Sequence, residues 1–309
     1  MAVSSMFEHI HPAFRDKAMA SDEERIALIR SDRWIGHPVA NAALQKLEEM
    51  LSDPVRTRMD SLLITGESGM GKTMIIEKFL RKHPQREDRV SGTLKMPIVS
   101  IQMAPTPGEK RLYVQILDAL NAYTPSRMDK DHAAMLCIRL MREMGVRMLF
   151  MDEAHNLLCG TVQQGAEARN TIKFLSNGLR IPIVCAGTPE AARAIRQDVQ
   201  LANRMHEITL NRWRDDENLQ RLLNSIMLSM PLRRPSPVNE PRIRKLILAM
   251  SEGITVRLFR LLEAAAVQAI RSQQEHIDFD LLDTGLNTLP LVSMSSGEAA
   301  GDPFAEFYR

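Results

Sequence analysis

The stretch GESGMGKT at residues 66–73 decides the fold of this chain. It fits the pattern GxxxxGK[ST], follows the apolar run SLLIT (61–65) and opens the helical pattern TMIIEKFLRKH (73–83), which is the strand–loop–helix context of a phosphate-binding loop. In such a loop the backbone N–H groups and the positive end of the helix surround phosphate oxygens. The predicted nucleotide-binding residues are Gly66, Glu67, Ser68, Gly69, Met70, Gly71, Lys72, Thr73 and Met74.

Four side chains at or near this loop are predicted to bind the cofactors, ATP and Mg²⁺, or to act on them. Lys72 supplies a cation to the β- and γ-phosphates, and the Thr73 hydroxyl helps to ligate Mg²⁺. The apolar run MLFM (148–151) ends in Asp152 and Glu153, and a carboxylate at the end of a parallel strand lies over the phosphate crevice of an open α/β sheet. Asp152 is therefore predicted to hold Mg²⁺ through its water shell, and Glu153 to polarise the attacking water.

Thr188 and Arg204 are two further candidate catalytic residues. Thr188 follows the apolar run IPIVCAG (181–187), where a polar side chain can contact the γ-phosphate or position water. The alternative for Thr188 is a residue that only starts the turn TPE. Arg204 precedes the last predicted strand, where an arginine can reach across a subunit boundary and neutralise charge in the transition state. The alternative for Arg204 is an ordinary surface arginine.

Apolar runs and helical patterns alternate over the first two thirds of the chain, which predicts a five-stranded parallel sheet with helical crossovers, an α/β fold. Strands are predicted in SLLIT, PIVSIQM, VRMLFMDE and IPIVCAG, with a last strand after Arg204. After Trp213 the strand signals stop, and helices are predicted over 215–230, 239–251, 255–273 and 277–288. The predicted division is an N-terminal helical segment (1–50), an α/β core (51–212), a helical domain (213–288) and a flexible acidic tail (289–309).

The composition is that of a globular chain and excludes several classes of protein. The 309 residues are 44% hydrophobic and 25% charged, which argues against wholesale disorder or a fibrous repeat. No apolar run approaches the roughly 20 residues that span a bilayer, and the N-terminus lacks the apolar core of a signal peptide; the expected location is cytoplasmic. Cys137, Cys159 and Cys185 stand far apart, so neither a disulfide framework nor a zinc site is predicted.

Neither Cys185 nor the histidines indicate a metal site. Cys185, inside an apolar run, is expected to be a buried small hydrophobe. Four histidines lack the spacing of metal ligands and are predicted to be structural: His9, His11, His132 and His155.

The net charge of +2 conceals an asymmetry along the chain. Residues 274–309 carry seven acidic side chains and one arginine, a net charge of −6, whereas residues 1–273 carry 39 basic and 31 acidic side chains, a net charge of +8. A basic body permits a polyanionic partner such as nucleic acid, although it does not demand one.

Several motifs together resemble the TniB/TnsC family of AAA+ ATPases of DNA transposition. They are Trp34-Ile35 with His37-Pro38, GESGMGKT, RMLFMDEAHNLL, RIPIVCAGT, DVQLANRM, and PLRRPSP followed by SEGITVRL. Their order along roughly residues 20–288 is far more specific than the phosphate-binding loop alone. The resemblance implies an AAA+ core with a helical lid, in a regulator that oligomerises on double-stranded DNA as a ring or a helical filament. It further implies a DDE transposase of the TniA/TnsB kind and a TniQ-like target adaptor as partners.

The resemblance also carries residue-level expectations. Ile35 and its neighbours are expected to pack against adenine, and a second sensor arginine would be Arg257 or Arg260. The chain departs from the family at Gly69 and Met70, where members often carry Asn, and at Met205, which replaces the usual Phe after Arg204. The loops that contact DNA phosphates in the family correspond here to Thr106, Lys110, Arg111, Arg127 and Lys130. A few such groups per subunit suffice to bind the DNA backbone; an ordinary polar loop is the alternative.

Two rival functions remain open on the sequence. One is a helicase loader or replication initiator of the DnaC/IstB kind, which shares the same core. The other is a nucleotide-gated scaffold that binds ATP with little turnover.

Overall fold

The chain forms two compact units in a computed structural model that describes residues 7–31, 33–87, 94–105, 108–125, 127–158 and 160–285. The first, here called the α/β unit, is Gly36–Arg212. The second, here called the helical unit, comprises Met1–Ile35 and Trp213–Arg309. The sequence predicted a separate segment over residues 1–50, whereas the structure groups the residues up to Ile35 with the helical unit and the helix that follows them with the sheet.

A five-stranded parallel sheet forms the centre of the α/β unit, as predicted. Its strands lie in the order β4-β5-β6-β1-β7, and every neighbouring pair is parallel. A separate antiparallel pair, β2 with β3, was not predicted. The strands are β1 (Ser61–Gly66), β2 (Arg86–Glu87), β3 (Leu94–Lys95), β4 (Ile98–Gln102), β5 (Met148–Asp152), β6 (Ile183–Gly187) and β7 (Met205–Leu210).

Helices cover the sheet, and every residue of β1, β5 and β6 is buried. This full burial explains why these strands read as continuous apolar runs, without the alternation of a half-exposed sheet. The helices of this unit are α3 (Pro38–Ser52), α4 (Lys72–Lys82), α5 (Glu109–Ala119), α6 (Lys130–Glu143), α7 (His155–Leu158), α8 (Val162–Leu179), α9 (Pro189–Arg196) and α10 (Val199–Ala202).

The sequence pattern predicts a helix over residues 169–178, whereas α8 begins at Val162, seven residues earlier. Thr161 accepts a hydrogen bond from the Gln164 backbone N–H at 3.3 Å, and the Gln164 side chain accepts one from the Thr161 N–H at 2.9 Å. This capping box fixes the start of the helix through polar groups, so the first turns need no apolar stripe.

Parallel pairing brings the carboxyl ends of four neighbouring strands to one edge of the sheet. Gly66 at the end of β1 pairs in register with Leu210 of β7, and Thr65 with Gly187 of β6. Met151, next to the end of β5, pairs with Cys185. The phosphate-binding loop and the Asp152-Glu153 pair therefore lie at the same edge, which is where open α/β sheets bind ligands.

The helical unit contains the predicted helices after Trp213. Its elements are α1 (Pro12–Arg15), a 3₁₀ turn (Asp16–Met19), α2 (Asp22–Arg30), α11 (Glu217–Leu228), α12 (Pro241–Ser251), α13 (Thr255–Arg271) and a π-helical turn (Leu281–Gly285). The helix predicted over 277–288 starts only after Asp278, whose carboxylate accepts the Leu281 N–H at 2.9 Å. Residues 286–288 and the predicted tail lie outside the described residues.

A buried ion-pair network links the two chain segments of the helical unit. The Arg25 side chain is fully buried and donates to both carboxylate oxygens of Glu275, at 2.7 Å each. It also donates to Asp22 at 2.7 Å and to the Pro231 carbonyl at 3.1 Å. The network therefore holds α2 against the segment after α13.

The structure bears on the environment of Cys185 and on the length of the apolar helices. Cys185 is fully buried, as predicted, and burial raises the pKa of its thiol to about 12. Among the described residues, no helix is both long enough and apolar enough to cross a membrane.

Candidate nucleotide-binding site

The phosphate-binding loop runs from the end of β1 to the start of α4, and glycine is required at two of its positions. A Cβ atom on Gly66 would lie 2.8 Å from the Leu210 carbonyl oxygen, so any side chain there would push β7 away. Gly71 caps α4 with a φ of +95°, in the left-handed region that other residues adopt only under strain. The loop therefore turns sharply from the end of β1 into the first turn of α4, and the backbone N–H groups of a helix start can bind phosphate.

Lys72 is held inside this turn. Its side chain is buried, and the Nζ atom donates to the carbonyl oxygens of Gly66 at 2.8 Å and Glu67 at 2.9 Å. Burial lowers the pKa of Lys72, and the charges of Glu153 and Asp152 partly oppose that shift. The ammonium group thus lies inside the turn, where phosphate oxygens could replace the two carbonyls as its partners.

Thr73 and Asp152 meet directly, although they are far apart in the chain. The Thr73 hydroxyl donates to Asp152 Oδ2 at 2.7 Å, and the Glu153 backbone N–H donates to Asp152 Oδ1 at 2.8 Å. Asp152 is only 6% exposed. A hydroxyl and a carboxylate side by side, next to a phosphate-binding turn, are the oxygen donors that Mg²⁺ prefers. The residues present therefore fit the predicted metal.

Glu153 is displayed by a strained turn at the end of β5. Its φ is +53°, and the next residue is fixed because the Ala154 N–H donates to the Ala186 carbonyl of β6 at 2.8 Å. The Glu153 carboxylate is 33% exposed and lies 3.3 Å from Nε2 of His155. Nδ1 of His155 is buried and has no hydrogen-bond partner in the described part of the chain. The structure thus places against the candidate catalytic carboxylate a histidine that sequence reasoning had treated as structural.

Thr188 lies at the predicted edge of the sheet, directly after β6, as the N-cap residue of α9. It is half-buried, and its hydroxyl shares a hydrogen bond with the Glu190 carboxylate, which is the main reason why the pKa of Glu190 lies below its ordinary value. The position is compatible with a role near the γ-phosphate, but in this structure the hydroxyl is engaged with its neighbour.

Three residues expected to contact nucleotide belong to the helical unit. Ile35 is half-buried and packs against that unit's own apolar core. Arg257 forms an ion pair with Glu252 at 2.7 Å. Arg260 lies on the same helix, α13. Their predicted contacts with adenine or phosphate stay predictions.

Arg204 lies at the opposite edge of the sheet from the loop. It immediately precedes β7, and its carbonyl accepts the Ser61 N–H at 2.8 Å, at the start of β1. One guanidinium nitrogen donates to Asn177 Oδ1 at 2.9 Å. The six residue steps from Arg204 to Leu210, at the other end of β7, span about 20 Å at roughly 3.3 Å per residue. Arg204 is therefore too far from the loop of its own chain to contact a nucleotide there.

Sequence reasoning missed one ion pair on the loop itself. Arg212, two residues beyond β7, donates from Nε and from a terminal nitrogen to the two carboxylate oxygens of Glu67, at 2.8 Å and 2.6 Å. Both side chains are close to half exposed. No short-range pattern could have revealed the pair, because its partners lie 145 residues apart.

The sequence model of the bacterial TniB protein family matches residues 25–215, which is more than half of the chain. The chain belongs to the TniB family. The match begins in the helical unit, covers the whole α/β unit and ends just after Arg212.

The comparison with curated proteins found a relative among ATP-binding subunits. This TniB-family chain is 27% identical over 166 residues to the ATP-binding subunit ClpL of the ATP-dependent Clp protease from Lactococcus lactis subsp. lactis. The aligned part is 50% of this chain and 19% of that protein, so the match covers about a fifth of the relative's length.

Solved structures show the same fold at low sequence identity. The Aeropyrum pernix ORC2 protein, in ADPNP–ADP complexes, has a TM-score of 0.59 at 14% identity and covers 88% of this chain and 72% of that one. The Aeropyrum pernix ORC1 protein in complex with DNA has a TM-score of 0.57 at 17% identity, with 83% and 67% covered. Drosophila ORC bound to DNA has a TM-score of 0.55 at 14% identity, with 86% and 65% covered. By family the chain is a TniB protein, and its fold is that of the AAA+ P-loop ATPases.

Three of the residues expected at DNA, Lys110, Arg111 and Lys130, lie together at the starts of α5 and α6. Lys130 Nζ lies 3.1 Å from Glu109 Oε2, which joins the start of α6 to the start of α5. Lys110, Arg111 and Lys130 line one open cavity of about 660 Å³, together with Glu109 and Glu167. Arg127 is exposed in the loop before α6, and Thr106 lies outside the described residues. The structure thus brings three of the four described cations together, although two acidic side chains share the cavity.

Proposed function

We propose that this TniB-family chain binds ATP with Mg²⁺ at Gly66–Thr73, hydrolyses it, and couples this cycle to assembly on double-stranded DNA during transposition. The observation that carries the proposal is the 2.7 Å hydrogen bond between the hydroxyl of Thr73 and the carboxylate of Asp152, with Glu153 displayed beside it. Family membership and the AAA+ fold support the same conclusion independently.

The residues at the sheet edge divide the chemistry among them. The loop N–H groups and Lys72 bind and orient the phosphates, and Thr73 with Asp152 holds the metal. Mg²⁺, when bound, neutralises charge on the β- and γ-phosphates. Glu153 orients the attacking water and accepts its proton at a carboxylate oxygen. The 33% exposure of that carboxylate leaves room for the water to approach.

Arg204 acts in a second copy of the chain. Because it lies at the sheet edge opposite its own loop, it can serve only a nucleotide bound by a neighbouring subunit. An arginine supplied in this way stabilises the transition-state charge. Hydrolysis then depends on head-to-tail assembly, which builds a ring if the rotation closes and a helical filament if it does not.

The assembly would enclose DNA through Lys110, Arg111 and Lys130 at the starts of α5 and α6, and through Arg127 in the loop before α6. Each subunit needs only a few phosphate contacts, since linked subunits multiply weak contacts by avidity. The assembled form would recruit a DDE transposase and a TniQ-like adaptor, and hydrolysis would dismantle it. This assignment of partners rests on the TniB family match and on the resemblance of the motifs.

Electron microscopy of purified protein with duplex DNA, with and without ATP, tests the proposal. Wild-type protein should assemble on DNA only with ATP. Lys72→Ala should not assemble, since the loop loses its phosphate-binding cation, and Glu153→Gln should assemble but persist after wild-type assemblies have dissociated. Monomers in every condition, or a Glu153→Gln assembly that dissociates at the wild-type rate, would contradict the proposal.

Mixing two inactive variants tests the subunit-crossing role of Arg204. Arg204→Ala keeps an intact loop, and Glu153→Gln, which should still assemble, keeps an intact Arg204. When the two proteins are mixed on DNA, some interfaces combine the intact loop of one with the Arg204 of the other, so ATPase activity should reappear. A mixture as inactive as its components would show that Arg204 does not act across the interface. A wild-type ATPase rate near zero with and without DNA would instead favour a nucleotide-gated scaffold.

A further inference from the structure

Glu67 places a negative charge on a loop whose proposed ligand is a polyanion. It is the second residue of the phosphate-binding loop, and its carbonyl oxygen already accepts a hydrogen bond from Lys72 at 2.9 Å. The side chain is 46% exposed, so its carboxylate stands at the surface of the loop. An unneutralised carboxylate there would repel phosphate groups approaching the same turn.

The register of the sheet supplies the neutralising cation. Gly66 pairs with Leu210 across β1 and β7, so the residues just beyond the two strands face each other. Glu67 stands one residue past β1 and Arg212 two residues past β7. The Arg212 guanidinium meets both carboxylate oxygens of Glu67, and this contact lowers the pKa of the carboxyl group below its ordinary value. A two-point contact of this kind fixes orientation as well as charge.

We propose that Arg212 is a positioning residue of the nucleotide site: it cancels the charge of Glu67 and holds the start of the phosphate-binding loop in a shape that admits ATP. The inference rests on the proposed function in assuming that Gly66–Thr73 binds ATP. It adds a residue that acts on the nucleotide through Glu67 and requires no contact between Arg212 and the nucleotide.

The first test is the affinity for ATP–Mg²⁺, measured by isothermal titration calorimetry on the full chain. Arg212→Ala should weaken binding by about tenfold, the size expected for one uncompensated unit charge near a polyanion at a partly exposed site. Arg212→Lys keeps the positive charge but loses the two-point contact with the Glu67 carboxylate, so its affinity for ATP should lie between those of Arg212→Ala and wild type. The loss in Arg212→Ala should shrink at about 1 M salt, where the screening length is about 3 Å.

The double variant Glu67→Gln/Arg212→Ala separates this role from a merely structural one. If Arg212 acts by cancelling the Glu67 charge, removing that charge as well should restore affinity to within about twofold of wild type, an allowance for imperfect additivity between contacting residues. A general loss of structure in the loop would not be repaired by a second substitution. Arg221→Ala, which breaks an exposed arginine–glutamate pair on α11 at 3.0 Å, is the matched control and should bind ATP as wild type does.

Two results would overturn the inference. Equal affinity of Arg212→Ala and wild type would show that the ion pair has no bearing on the nucleotide. A double variant as weak as Arg212→Ala would show that Arg212 contacts the nucleotide itself or serves only folding, and thermal unfolding of each variant tells these apart. Failure of the proposed function looks different, because wild-type protein would then not bind ATP at all.

Discussion

Replacing Glu275 by glutamine tests whether the buried ion pair holds the helical unit together. The substitution keeps the size of the side chain and removes its charge. Arg25 is fully buried and Glu275 is 6% exposed, and the two share hydrogen bonds of 2.7 Å at both carboxylate oxygens. The variant therefore leaves a buried guanidinium without its main counter-charge.

The burial and contacts of Arg25 set the loss of unfolding free energy that we expect for Glu275→Gln. Removing one partner of a buried pair costs about 3–5 kcal/mol, because the other charge stays buried without compensation. Arg25 keeps a second carboxylate at 2.7 Å, that of Asp22, whose side chain is 35% exposed. We therefore expect the lower end, about 3 kcal/mol. With a urea m-value of roughly 2 kcal/mol per molar, the midpoint should fall by about 1.5 M.

The loss of unfolding free energy in Glu275→Gln should become smaller as the pH falls. Burial alone raises the pKa of Glu275, but the hydrogen bonds from Arg25 and from the Arg233 backbone, with the charges of both residues, outweigh it, so the pKa lies below its ordinary value of 4.5. A carboxyl group with a lowered native pKa stabilises the folded state fully above the unfolded value and less as the pH falls through the native one. The difference between wild type and Glu275→Gln should thus be constant near pH 7 and narrow below pH 4.5.

Tryptophan fluorescence during urea unfolding measures this unit selectively. The chain has two tryptophans, Trp34 and Trp213, and both belong to the helical unit. Glu217→Gln is the control, because it breaks the exposed pair with Arg221 and should change stability by less than about 1 kcal/mol. The reasoning would be refuted if the free energy of unfolding of Glu275→Gln lay within about 1 kcal/mol of the wild-type value. It would also be refuted if the difference in unfolding free energy between the two proteins grew in acid.

Three other substitutions probe the α/β unit. His155→Ala should lower kcat about tenfold with unchanged ATP affinity, since its ring contacts the carboxylate of Glu153, the residue proposed to act on water; steady-state and binding assays on one preparation measure both. Lys110→Ala should reduce the slope of log K against log salt for duplex DNA by about 0.9 if its ammonium group neutralises one phosphate, as fluorescence anisotropy at several salt concentrations would show. Gly71→Ala should weaken ATP binding and cost about 1–2 kcal/mol in unfolding measurements, because a Cβ there meets no atom within 4 Å and the penalty is the positive φ alone.

The sequence was informative wherever a pattern is local. The loop 66–73 and the apolar runs before it and before Asp152 predicted the five-stranded parallel sheet, because fully buried strands must be continuously apolar. At the start of α2, Ser21 and Glu24 stand three residues apart in the sequence, and both hydrogen bonds of a capping box are present. Such features depend on spacing along the chain, which a sequence displays directly.

Contacts between distant segments could not be predicted in the same way. The chain passes through the helical unit twice, and the pair of Arg25 with Glu275 joins residues 250 positions apart. Glu67 and Arg212 meet only because β1 and β7 are neighbours with a particular register. The sequence position of His155 shows only that it lacks the spacing of metal ligands, and its contact with Glu153 depends on the positive φ of the turn.

The geometry of the α/β unit also bears on why the proposed ATPase would need more than one copy. At the loop, Lys72 is bonded to two backbone carbonyls and Arg212 to Glu67. If both stay committed to binding and loop shape, the extra charge of the transition state needs a further cation. Arg204 lies about 20 Å away at the other edge of the sheet, six residue steps before the end of β7 at roughly 3.3 Å per residue. A parallel sheet fixes that separation within one chain, so only a neighbouring copy can bring an Arg204 to the nucleotide, and turnover then reports that assembly has occurred.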